Sequence, residues 1–156
     1  MASHRVRLAK DKGELVKRLV ESNDSTAPFA TYADAVMFAA TLGYNVDRQL
    51  PLGDRIASEP APIAWEVFSS RGYARAIELL AIANTADVTI LSGNDDGAIA
   101  RQASILEEYA NGGLECLQQE LRGAIDITGH LLLMLDKHRH SPQPESSEEF
   151  DLTRFL

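Results

Sequence analysis

Phe29-Ala30-Thr31-Tyr32-Ala33-Asp34-Ala35-Val36-Met37-Phe38-Ala39-Ala40-Thr41-Leu42-Gly43-Tyr44, running on to Leu52, carries the clearest helical pattern in the chain. Thr31 has the chemistry of a helix N-cap. Asp34, three residues later, makes a shorter-armed version of the Ser/Thr-x-x-Glu capping box. The spacing predicts a helix over residues 33–42, stopped at Gly43, since glycine best tolerates the left-handed backbone of a helix end. Val36, Ala40 and Tyr44 recur at i, i+4 and i+8 with Ala33 and Met37 beside them, so one face is apolar enough to bury. Ala35 and Ala39 form a neighbouring strip nearly free of side chain, where a second helix can approach closely. This is the expected central packing helix.

The rest of the chain follows the same pattern. Asp11 is placed to cap a helix over residues 12–22 whose buried stripe is Leu15, Val16, Leu19 and Val20. Residues 23–28 read as a turn-rich link. Pro51, Gly53, Pro60 and Pro62 mark a long loop, of the kind that carries binding residues more often than a core does. Pro62 suits a first helical position, which predicts a short helix over 63–69, with a strand over 63–68 as the alternative. Further helices are expected over 73–83, 98–110, 114–121 and 125–138. Asn111-Gly112-Gly113 would end one of them at an αα-hairpin corner, and Gly123 would interrupt the next. The last of them is read as completing the helical part with Leu131, Leu132, Met134 and Leu135. Residues 86–91 read as a helical turn capped at Asp87 or a very short strand. The expected architecture is mainly α. It is a single compact multi-helix domain over residues 1–138 with one or two very short strands, followed by a flexible acidic arm over 139–156 that ends in an apolar terminus.

Composition narrows the function classes. With 156 residues, 45% hydrophobic and 24% charged, the chain suits one soluble domain. No apolar run approaches the ~20 residues of a membrane span, and the polar N-terminus is unlike a signal peptide. Cytoplasmic location and no membrane partner are the expectations. A lone cysteine, Cys116, excludes an internal disulfide and any cysteine-based zinc or iron–sulfur site in one chain. The net charge of −8 argues against a surface that binds nucleic acid indiscriminately. Residues 1–18 nevertheless carry +4, against −9 for the middle and −3 for the tail from Ser141. Arg5, Arg7, Lys10 and Lys12 are therefore candidate DNA contacts, weighed against a solvated helix face.

Chemistry-bearing motifs are scarce. No Gly-x-x-x-x-Gly-Lys-Ser/Thr loop is present to hold phosphates. Residues 92–97 resemble a calcium loop, but the register that puts Gly97 sixth puts Ala103 where a bidentate glutamate is required; helix capping explains them better. His138 and His140 offer two ligands where a structural metal site usually has four. Cys116 reads as a small buried hydrophobe. Asp47, Glu59, Glu66 and Asp87 show no acidic-and-lysine nuclease pattern. No catalytic residue, cofactor or metal ligand is assigned. A helix-turn-helix is the strongest alternative, with its turn over 39–43, a short second helix over 45–50 and Arg48 as its base-reading cation. A third class is an enzyme whose site forms only in three dimensions, among Tyr44, Asp47, Arg48, Trp65 and Glu66. Trp65 is a core edge or an interface residue. Phe150, Leu152, Phe155 and Leu156 make a terminus that either folds back or docks on a partner.

Four pieces of the chain together resemble a known family. They are Arg5-Val6-Arg7-Leu8-Ala9-Lys10-Asp11-Lys12, the run Phe29-Ala30-Thr31-x-x-Asp34-Ala35-x-x-Phe38-Ala39-Ala40-x-Leu42-Gly43-Tyr44, the pair Val67-Phe68, and Glu108-Tyr109-Ala110-Asn111-Gly112-Gly113-Leu114. In this order they resemble the DNA phosphorothioation-associated (Dnd system-associated) protein 4 family, and the last is the most specific. The resemblance implies a role beside the enzymes that place sulfur in the DNA backbone, or beside linked restriction machinery directed at phage. It implies protein components of that system as partners, with DNA or a second copy of the chain as further candidates. It carries over no catalytic residue. The reading is a non-enzymatic accessory protein, with a DNA-binding regulator as the alternative.

Overall fold

The computed structural model describes residues 3–21 and 27–140. Its elements run β1 (Arg5–Val6), a 3-10 turn (Lys10–Lys12), α1 (Gly13–Val20), α2 (Tyr32–Asn45), β2 (Ile63–Ala64), α3 (Trp65–Ser70), α4 (Ala74–Thr85), a second 3-10 turn (Val88–Leu91), α5 (Asp96–Glu120) and α6 (Ile127–His140). The mainly helical domain expected from the sequence is what forms. No helix among the described residues is long and apolar enough to cross a membrane.

Helix α2 is the centre, as its composition demands. Ala33, Ala35, Val36, Met37, Ala39, Ala40, Leu42 and Gly43 are all buried, and its most extensive packing is against α5. The Thr31 hydroxyl accepts from the Asp34 amide at 3.2 Å and caps the helix. Its far end departs from expectation. Gly43 is not a stop; the helix continues to Asn45, and the positive φ falls on Asp47. Gly43 is instead needed for closeness, because a Cβ there would overlap the carbonyl oxygen of Tyr109 on α5.

The Asp34 carboxylate does not complete a capping box. It takes both Arg71 Nε and Nη2 at 2.7 Å and the Tyr73 hydroxyl, which ties the start of α2 to the α3–α4 turn. Burial alone would raise this carboxyl, but the hydrogen bonds from Arg71 and Tyr73 outweigh it and hold Asp34 below its usual range. A depressed acid stabilises the fold fully above its unfolded value, near pH 4, and that contribution is lost as pH falls through the lower folded value. Asp34→Asn is therefore expected to lose about 1.5–3 kcal/mol near neutral pH. Thermal melts should show the wild type losing that advantage below about pH 4. A constant difference between the two proteins down to pH 2 would contradict the assignment.

The N-terminal segment wraps the helices. Arg5 and Val6 pair antiparallel with Ala64 and Ile63, and Ala9 bridges Arg55. The strand reading of 63–68 survives only as Ile63–Ala64. The following helix starts at Trp65, so Pro62 precedes the strand and does not open a helix. Asp11 does not cap α1. Its carboxylate pairs with Lys12 Nζ at 2.9 Å, because Lys12 is 5% exposed and a buried ammonium requires a partner. Asp87 and Asp95 do cap, accepting from the amides of Thr89 and Gly97.

The largest departure is at Asn111-Gly112-Gly113. Instead of a helix end and a hairpin corner, α5 runs unbroken for 25 residues, about 37 Å. Two glycines inside a helix each cost roughly 1 kcal/mol relative to alanine. Contact with α2 offsets that cost. A Cβ on Gly113 would overlap the Ala39 carbonyl, and one on Gly112 the Arg48 carbonyl. The chain turns only after Glu120, with Gly123 at φ 76° in the link to α6.

Candidate functional site

The Glu108 to Leu114 run is the most distinctive in the sequence, and its residues have readable tasks. The Glu108 carbonyl accepts from the Leu50 amide at 3.1 Å, and its carboxylate accepts from Gln49 at 2.6 Å. Tyr109 packs edge-on against Tyr44 with centroids 5.7 Å apart, and its hydroxyl accepts from Asn84 at 3.1 Å. The Asn111 side-chain amide donates to the carbonyls of Leu50 and Pro51 at 3.4 and 3.0 Å. Gly112 and Gly113 admit the backbone of the α2 side, and Leu114 is fully buried. Together these contacts clasp the segment after α2 onto α5. The run is a packing seam.

The candidate DNA contacts differ in burial and pairing. Arg5 and Lys10 are exposed. Arg7 donates through its backbone amide, Nε and Nη2 to Glu107, a carboxylate 3% exposed on α5. Lys12 is buried against Asp11. Arg48 is half-buried, its carbonyl set over Gly112. The helix-turn-helix does not form, because residues 39–43 lie inside α2 and no helix follows over 46–50. Its small residues serve the α2–α5 contact, where helix breaking and backbone approach demand the same residue types. Lys10, Lys17 and Arg55 do share a shallow cleft with Glu14 and Glu59, so its charge is mixed.

Of the five residues expected for a three-dimensional site, Tyr44, Asp47 and Arg48 lie at and just past the end of α2, whereas Trp65 and Glu66 open α3. Trp65 is half-buried against Phe68, with centroids 6.5 Å apart, and belongs to the core edge. The cleft of Lys10, Lys17 and Arg55 is lined by none of these five. Burial and Glu120 push the half-buried Cys116 thiol up, with Arg48 opposing, which disfavours the thiolate a nucleophile requires. His140 Nδ1 lies 3.1 Å from Asp136 on the same helix. Among the described residues, no three His, Cys, Asp or Glu side chains are grouped as metal ligands.

One feature that sequence periodicity missed is an apolar groove on α6. Leu131 and Met134 are buried, whereas Leu132, Leu133 and Leu135 are 62%, 64% and 44% exposed. Leu132 and Leu135 are therefore not the core leucines the spacing suggests. Leu131, Leu132 and Leu135, with Thr128, form one wall of a cavity of about 270 Å³, and Pro28, Phe29 and Phe38 form the other. The two phenylalanine rings pack at 5.2 Å. A run of leucines cannot reveal which of its members find a partner, because the inward face of this short helix is only two residues wide. The terminal candidates Phe150, Leu152, Phe155 and Leu156 lie outside the described residues.

No curated protein and no solved structure matched this chain. Its sequence does match, over residues 5–155, the family described as DNA sulphur modification system-associated protein 4. That match takes in the N-terminal strand, the α2 helix and the Glu108 to Leu114 seam, the elements whose contacts define the domain. The chain belongs to the DNA sulphur modification system-associated protein 4 family.

Proposed function

We propose that the chain is a non-enzymatic interaction protein of a DNA sulphur-modification system or of restriction machinery linked to it. It would act by binding a protein component of that system through α6. The observation that carries this reading is the exposed Leu132, Leu133 and Leu135 row beside the groove. Contiguous apolar surface of this kind, rimmed by polar groups, marks interaction sites on otherwise well-packed domains. The family match supplies the system. The most distinctive residues, Glu108 to Leu114, are occupied in packing, whereas α6 presents three exposed leucines on one helix.

The test is co-purification of the tagged full chain with co-expressed protein components of a DNA sulphur-modification system. Leu132→Glu with Leu133→Glu should reduce recovery of the bound component at least tenfold, since charges buried in an interface core without partners cost several kcal/mol. Both positions are exposed, so the fold should melt as the wild type does. Equal recovery with the double variant would overturn the reading.

A further inference from the structure

We propose that, in the isolated protein, the α6 groove seats this chain's own C-terminal segment, residues 150–156, Phe-Asp-Leu-Thr-Arg-Phe-Leu. This rests on the reading of α6 as the interaction face and adds what covers it before a partner does.

Size, reach and chemistry agree. A cavity of about 150 Å³ takes up a benzene molecule, so the 270 Å³ here accommodates one to two phenyl rings. The terminal segment supplies Phe150 and Phe155, with Leu152 and Leu156 to lie against Leu132 and Leu135. Among the described residues, the groove walls offer aliphatic and aromatic surface with Thr128 and no charged side chain, which suits such an occupant. Helix α6 ends at His140, five residues past Leu135, or about 7.5 Å along its axis. Residues 141–149 span up to about 30 Å when extended, ample to turn back to the groove. They hold Glu145, Glu148 and Glu149, opposite in sign to the Lys137 and Arg139 end of α6. A short tether raises the local concentration of a segment to the millimolar range, so a weak contact suffices within one chain. The family match runs to residue 155 and so includes the terminus with the folded body.

Hydrogen exchange on the full-length protein tests this. Amides of residues 150–156 should exchange at least about tenfold more slowly than in the same segment as a free peptide. Leu132→Glu with Leu135→Glu should restore the free-peptide rate while leaving α5 amides protected. Phe150→Ser with Phe155→Ser changes no residue of the folded body and should also release the segment. Protection should be the same at low and at tenfold higher protein concentration. A free-peptide rate in the wild type would overturn the proposal, as would protection that survives the groove substitutions. Protection that rises with concentration would assign the segment to a second copy and overturn the intramolecular seat. Each of these outcomes leaves the co-purification result standing on its own, because exchange is measured without any other component.

Discussion

Gly113→Ala should destabilise the protein by about 3 kcal/mol, although alanine is the better helix former by roughly 1 kcal/mol. The sign is decided by the seam. The added Cβ would overlap the carbonyl carbon and oxygen of Ala39, backbone atoms on the buried face of α2 between Ala35 and Gly43. Overpacking of a tight core usually costs about 1–3 kcal/mol, and the top of that range applies where the clash meets main chain. Gly112→Ala meets the Arg48 carbonyl and side chain, and Gly43→Ala meets Tyr109. Arg48 belongs to a loop that can yield, so Gly112→Ala is expected to cost less than Gly113→Ala. Urea denaturation of the three variants checks both the magnitude and the order. A more stable Gly113→Ala would mean that α2 and α5 do not touch as described.

The second large effect is expected at Arg7 and Glu107. Glu107 is 3% exposed, and its carboxylate accepts from Arg7 Nε at 3.0 Å, Nη2 at 3.3 Å and the Arg7 amide at 3.1 Å. Removing one partner of a buried ion pair costs about 3–5 kcal/mol because the other charge is left uncompensated. The Arg7 side chain is 43% exposed, which places Arg7→Ala near the lower end. Arg7→Met with Glu107→Leu should recover most of the loss, since a well-packed apolar pair removes the stranded charge. Denaturation midpoints of the two single variants and the double variant test this coupling. Additive losses would show that the pair does not act as a unit. Arg7 therefore serves the fold, holding the N-terminal strand to α5, although its place in a basic stretch made it resemble a nucleic-acid contact.

The central helix, its Thr31 cap, the α1 stripe, the Asp87 cap and capping from within residues 92–97 were legible because each rests on local spacing and local hydrogen bonds. What misled was glycine. Gly43, Gly112 and Gly113 occur where a helix stop and a close helix crossing call for the same residue. Only the partner surface, distant in sequence, distinguishes the two. The same holds for charge: Arg7 and Lys12 read as a basic surface until Glu107, a hundred residues away, and the burial of Lys12 are known. On α6 the apolar residues were visible but their division was not, because spacing alone does not show that Leu131 is covered while Leu132, on the same groove wall, stays exposed. The family resemblance was legible for a physical reason too. Its most specific run is the seam that several parts of the fold must fit at once.

Glu108 to Leu114 is a continuous helical packing seam and not a loop, and the contact between α2 and α5 rests on it. Backbone carbon chemical shifts of residues 108–114 in the full-length protein test it most directly. Helical shifts through Asn111, Gly112 and Gly113, with their amides among the slowest to exchange, are the predicted result. Loop-like shifts and rapid exchange at Gly112 and Gly113 would contradict it and return that run to the candidates for a binding site.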